Sequence, residues 1–131
     1  MTPLLALVIA VSAGLAAVLR YAVTLFVASR EQGSWLRRFP WAVLIVNAVG
    51  SLVAGCAAGL AATGLVSTDA RLVLVTGVAG GLTTFSTFSV ETVELVRSNR
   101  WRYAAASVAL NLVVGIGLAA LGYCCASAFA S

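Results

Sequence analysis

Four long apolar runs separated by short polar segments set the pattern of this chain, at about residues 3–28, 41–62, 72–96 and 103–128. Each is near or above the roughly 20 residues that carry a helix across a hydrocarbon core of about 30 Å. The runs are continuous rather than alternating, so they predict helices. A barrel of this size would need about eight strands of roughly ten residues with polar positions facing its lumen. The pattern therefore predicts an all-α integral membrane subunit, a single four-helix domain over residues 1–131. Trp35, Trp41, Trp101 and Tyr103 fall at the junctions between runs, where amphipathic rings favour the headgroup level.

Composition sharpens this picture. Hydrophobic residues make up 62% of the chain and charged ones 9%, which excludes an ordinary soluble domain. A bundle this short does not readily enclose a pore alone, so a partner subunit, most simply a dimer, is expected. The net charge of +4 comes from Arg without Lys or His. These charges sit at the ends of apolar runs rather than in a basic stripe, which fits lipid headgroups and argues against nucleic acid. Arg30, Arg37, Arg38, Arg97, Arg100 and Arg102 fall on one side of the predicted bundle and Arg71 on the other. The positive-inside rule then places both termini outside. Cys56, Cys124 and Cys125 lie inside apolar stretches, odd in number and without metal-ligand spacing, and read as small apolar filler. The first run lacks a charged n-region and continues too far for a signal peptide, so it is expected to be a retained helix.

The third run is the most informative. It contains Gly77, Gly80 and Gly81, then five hydroxyl residues within the seven from Thr83 to Ser89. Adjacent Gly80 and Gly81, followed by β-branched Thr83 and Thr84, predict that the helix unwinds there. Unwinding frees backbone groups at the midplane, tolerated only where protein, water or an ion satisfies them, so an ion near Gly80–Thr83 is expected. The alternative is that the glycines serve close helix packing and the hydroxyls bond back to their own helix. Beyond the break, Phe85 and Phe88 share a face, while Ser86 and Ser89 share a neighbouring one. Phe rings have positive edges that can meet a small anion; ordinary core or lipid packing is the competing reading.

In the second run Asn47, Ser51, Gly55 and Gly59 recur every four residues, a stripe that should face another helix. Asn47 can donate to an anion or serve as interhelical glue. Ser107, Asn111 and Gly115 repeat the arrangement in the fourth run. Arg20 is the intramembrane charge of the first run, either snorkelling to the interface or anchoring a polar vestibule. Glu91 and Glu94 lie late in the third run, placed to meet an Arg near the surface. With no His, no usable Cys pair and no phosphate-cradling loop beside a Lys, no catalytic machinery is visible and an enzyme is not expected.

The run from Gly80 to Ser89 followed by Glu91, with Val46-Asn47-x-x-Gly50-Ser51 in the second span and Gly14-x5-Arg20-Tyr21 in the first, closely resembles the CrcB/Fluc fluoride channel family. The resemblance covers the whole chain in order. It implies an antiparallel dimer in the bacterial inner membrane, a multi-pass protein that lets fluoride leave the cytoplasm passively and so relieves its toxicity. It also implies two fluoride pathways and a structural sodium ion on the dimer axis. Carried over by motif position, Gly80 and Thr83 would offer carbonyls to sodium, Phe85 and Phe88 would form an aromatic box, and Asn47 would be a pore-side donor. Ser86, Thr87, Arg20 and Glu91 match family positions, the last two as vestibule or structural residues. Ser107 and Asn111 join the pathway on helical spacing alone.

Two departures stand out: the glycine-rich start of the first motif is here Ser12-Ala13-Gly14, and the Arg bias between the two sides is strong. An antiparallel homodimer needs one chain to insert both ways, so a heterodimer with an oppositely oriented homologue is the other assembly to consider. Two further functions compete with the channel. A proton-coupled multidrug or cation exporter would need a midmembrane carboxylate, and the first two runs contain none. A structural assembly protein would leave the Thr/Ser/Phe run without a purpose.

Overall fold

The computed structural model describes residues 2–30 and 39–129. Trp35, Arg37 and Arg38 of the first connection lie outside the described residues. The elements are all helical among the described residues: α1 (Pro3–Arg30), α2 (Trp41–Ala62), α3 (Thr68–Leu72) leading into a π-helical segment (Val73–Ala79), α4 (Gly80–Leu82), α5 (Phe85–Arg97) and α6 (Trp101–Ala128). Four stretches are long and apolar enough to cross a membrane: α1, α2, α6 and the composite Thr68–Arg97. The third begins before its apolar run because the Ser67 hydroxyl accepts from the Ala70 amide and caps the first turn.

The predicted stripe on α2 does face another helix, and it meets the corresponding stripe of α6. Asn47 bonds Asn111, Ser51 lies beside Gly115, Gly55 lies against the backbone of Ala119, and Gly59 against that of Tyr123. Both partners advance by four residues at each step, so the two helices run parallel and pack along matching i, i+4 rows. In a bilayer such contacts replace the hydrophobic drive that water supplies to soluble bundles, so close backbone approach is what holds this pair.

This packing makes a sharp contrast between two glycines. A Cβ on Gly55 would lie 2.9 Å or less from backbone atoms of Ala119, whereas one on Gly117 meets nothing within 4 Å. Gly55→Ala is expected to destabilise the subunit by about 1–3 kcal/mol, the scale of an overpacked contact. Gly117→Ala should leave stability unchanged or raise it by up to about 1 kcal/mol. Thermal melting of both variants in detergent checks the pair.

On the other side, α1 packs along the third span. Gly77 faces Ser12 and the Ile9 carbonyl, and Gly81 lies against the Ala13 backbone. Ala16, Val46 and Leu82 bring α1, α2 and α4 together in a small core, with Val23 packed against it. Much of α1 and α6 remains exposed and apolar, surface suited to lipid or to another transmembrane helix.

A break in the third span and its clasp

The third span does break, but one step later than the glycines suggest. Gly80 is helical, with φ −64° and ψ −38°, and α4 continues through Leu82. The extended residues are Thr83, at φ −74° and ψ 156°, and Thr84, at φ −146° and ψ 117°. The adjacent glycines are therefore not the unwound residues, and Gly81 instead provides the close approach to α1. Unwinding falls on the β-branched pair because side chains of neighbouring helices hold the backbone groups that a continuous helix would have paired internally.

Asn47 provides most of that hold. Its Oδ1 accepts from the Thr84 amide at 2.8 Å, and its Nδ2 donates to the Thr84 carbonyl at 3.4 Å and to Asn111 Oδ1 at 2.9 Å. The Thr84 amide is the one that would close on the Gly80 carbonyl in an unbroken α-helix. Asn111 is held in turn by donating from Nδ2 to the Ser107 carbonyl at 2.9 Å. Arg20 completes the clasp, its guanidinium donating to the Thr83 carbonyl at 3.1 Å. This inward engagement, rather than snorkelling, accounts for its place in the first span.

Thr84 is absent from the residues that the motif assigns to the site, yet it is its most buried threonine, at 6% exposure. Its hydroxyl accepts from the Thr87 amide, capping α5, and donates to Thr87 Oγ1 at 3.0 Å. Ser86 Oγ lies 3.3 Å from the same hydroxyl. The available sequence signal was a Thr immediately before a helical run, a usual N-cap position. Part of the hydroxyl run follows the alternative reading: Thr83 bonds back to the Ala79 carbonyl and Ser89 to that of Phe85.

Two features leave room for something to bind. Ser107 is fully buried, at 0% exposure, and its Oγ has no hydrogen-bond partner among the described residues. A buried hydroxyl left this way costs about 1–3 kcal/mol. Phe85 and Phe88 stand 5.9 Å apart between ring centroids, tilted by 42°. Phe85 is 79% exposed, so its ring projects away from the core of its own subunit.

Glu91 sits farther along α5, away from the clasp. With Glu94, Trp41 and Arg100 it helps line a cavity of about 410 Å³ where the ends of α1, α2 and α5 meet. Among the described residues there is no group of three or more His, Cys, Asp or Glu side chains able to hold a metal. The oxygens at the break are neutral, main-chain carbonyls together with the hydroxyls of Thr83, Thr84, Ser86 and Thr87. Gly80 and Thr83 lie at the C-terminal end of the α3–α4 helical stretch, the negative end of its dipole, and carbonyl oxygens are ligands suited to a hard cation. The Arg20 guanidinium already engages one lone pair of the Thr83 oxygen, leaving another for an ion.

Residues 7–123 match the family described as CrcB-like protein, Camphor Resistance (CrcB). The chain is similar to the Fluoride-specific ion channel FluC 1 of Thermobifida fusca, with 40% identity covering 89% of this chain and 91% of that protein. It is also similar to the Fluoride-specific ion channel FluC of Roseiflexus sp., with 44% identity covering 87% and 90% respectively. A third relative, a Fluoride-specific ion channel FluC of Thermus thermophilus, is 40% identical over 89% of this chain and 90% of its own.

Proposed function

Because the chain belongs to the CrcB family, we propose that it is a fluoride-selective channel through which fluoride leaves the cytoplasm by passive flow. The observation that carries this reading is the chemistry gathered at the Thr83–Thr84 break: neutral amides and hydroxyls, two tilted phenyl rings and the unpartnered Ser107 hydroxyl. Fluoride gives up its water only where donors replace it. Neutral donors and ring edges do so without the repulsion that a carboxylate would add. Glu91 lies seven residues beyond Thr84, about 10 Å along a helix axis.

In this reading Ser107, Ser86, Thr87, Phe85 and Phe88 meet the ion along its path. Asn47 and Asn111 hold the break that shapes this path, and Arg20 fixes its carbonyl edge. Glu91 belongs to the vestibule. Passive flow calls for no reaction on the substrate. With four membrane-length helices and bacterial relatives, the chain is a multi-pass protein of the bacterial inner membrane.

The assembly proposed is a dimer of oppositely oriented subunits, either two copies of this chain or this chain with a homologue. The outward projection of Phe85 supports a path completed by another subunit. A sodium ion would be held by the Gly80 and Thr83 carbonyls, two from each subunit, and would supply fixed positive charge at the dimer axis.

Fluoride release from liposomes holding the purified protein, repeated with chloride as the test anion, tests the function. Fast fluoride efflux with negligible chloride efflux is expected. Equal rates for the two anions would remove the selectivity assignment. Silence from the folded protein that persists after co-expression with an oppositely oriented homologue would remove the channel reading.

A further inference from the structure

The turn between α5 and α6 carries three guanidinia within six residues, those of Arg97, Arg100 and Arg102. All three residues are exposed. Arg20 and Arg30 have partners in the Thr83 carbonyl and the Phe26 ring, whereas the side chains of these three have none among the described residues. Their mounting is well defined. The Asn99 amide donates to the Val96 carbonyl at 3.0 Å, the Arg100 amide donates to that of Leu95 at 2.8 Å, and Asn99 takes a left-handed φ of 59° to close the turn.

Below Arg97 the surface of α5 forms an open trough of about 690 Å³ lined by Ser89, Val90, Val93, Glu94, Arg97 and Ser98. Val90, Val93 and Arg97 follow at spacings of three and four and so share one helix face. The two valines are 64% and 56% exposed, and Trp101 beside the arginines is 62% exposed. An apolar strip thus leads up to a cationic turn with an aromatic ring at the level of the membrane surface.

We infer that this face binds an anionic phospholipid, its phosphodiester held by Arg97, Arg100 and Arg102 and one acyl chain lying along Val90 and Val93. The guanidinium fork matches phosphate oxygens in pairs. Basic clusters where a span ends are a recurring anionic-lipid site. Glu94 lines the trough beside Arg97, and Glu91 and Glu94 line the neighbouring cavity with Arg100, so three guanidinia stand against two carboxylates and the turn keeps a net positive charge. The exposed valines favour a ligand with a hydrocarbon tail over a hydrated anion, and the charge selects an anionic headgroup over a zwitterionic one.

Native mass spectrometry of the detergent-purified protein, titrated with phosphatidylglycerol or phosphatidylcholine of the same acyl chains, tests this directly. Preferential retention of phosphatidylglycerol is expected, weakened about fivefold by each of R97Q, R100Q and R102Q, the scale of one arginine's attraction to an anionic lipid surface. R71Q removes another exposed charge, outside the turn, and should leave retention unchanged. An unshifted melting temperature confirms that each variant is folded. Equal retention of the two lipids, an equal loss in R71Q, or displacement of phosphatidylglycerol by inorganic phosphate would each overturn the assignment.

Discussion

Asn47→Ala is expected to lose about 2–4 kcal/mol of stability and to lower fluoride efflux by roughly a hundredfold. The variant removes the acceptor of the Thr84 amide, the donor to the Thr84 carbonyl and the partner of Asn111 together. A main-chain amide stranded in an apolar interior costs about 1–3 kcal/mol, and the remaining bonds add about 1 kcal/mol each. If this loss falls on the conducting arrangement of the break, about 2.7 kcal/mol corresponds to about a hundredfold change. Asn47→Asp should be no milder, because it keeps the acceptor for the Thr84 amide but turns a second oxygen toward the Thr84 carbonyl and Asn111 Oδ1. Asn111→Ala, which removes one bond of the clasp, should be intermediate. Melting curves and liposome efflux on the same preparations provide the check; an Asn47→Ala protein as stable as the parent would dissolve the clasp.

Phe85→Ile and Phe88→Ile should show the opposite balance, efflux down about tenfold or more with little change in melting temperature. Phe85 is largely exposed and touches little of its own subunit, so trimming its ring loses little burial. What disappears is the positive ring edge, which an aliphatic side chain of similar bulk does not replace. A tenfold effect corresponds to about 1.4 kcal/mol at the barrier, within the roughly 0.5–1.5 kcal/mol that the same ring quadrupole contributes in aromatic pairs. Unchanged efflux in both variants would return the rings to packing roles.

Apolar run length made the four spans legible, since a bilayer leaves a continuous chain few ways to satisfy its backbone. The stripe from Asn47 to Gly59 was legible for a related reason: close helix contact in lipid selects small and polar residues at fixed spacing. The exact place of the break was not. Propensity weighs Gly80 and Gly81 as the weak point, but both stay helical, Gly81 packed against the Ala13 backbone of α1, while Asn47 and Arg20 draw open the backbone at Thr83 and Thr84. That outcome depends on residues 63 and 37 positions away from the groups they bond, a separation no local pattern encodes. Ser107 could be found by its spacing from Asn111, but its lack of a partner is a property of the packed structure alone.

The parallel pairing of α2 with α6 also sets an order of events during synthesis. Asn47 and Asn111 are 64 residues apart, so at about 5–20 residues per second the second span waits roughly 3–13 s for its partner to be made. Throughout that interval its glycines and amide lack the surface they are shaped for, and the break in the third span lacks part of its brace. Maturation of the pore is therefore tied to arrival of the last helix, and a ribosome stalled before α6 would leave a membrane-inserted chain whose central opening has not yet been set.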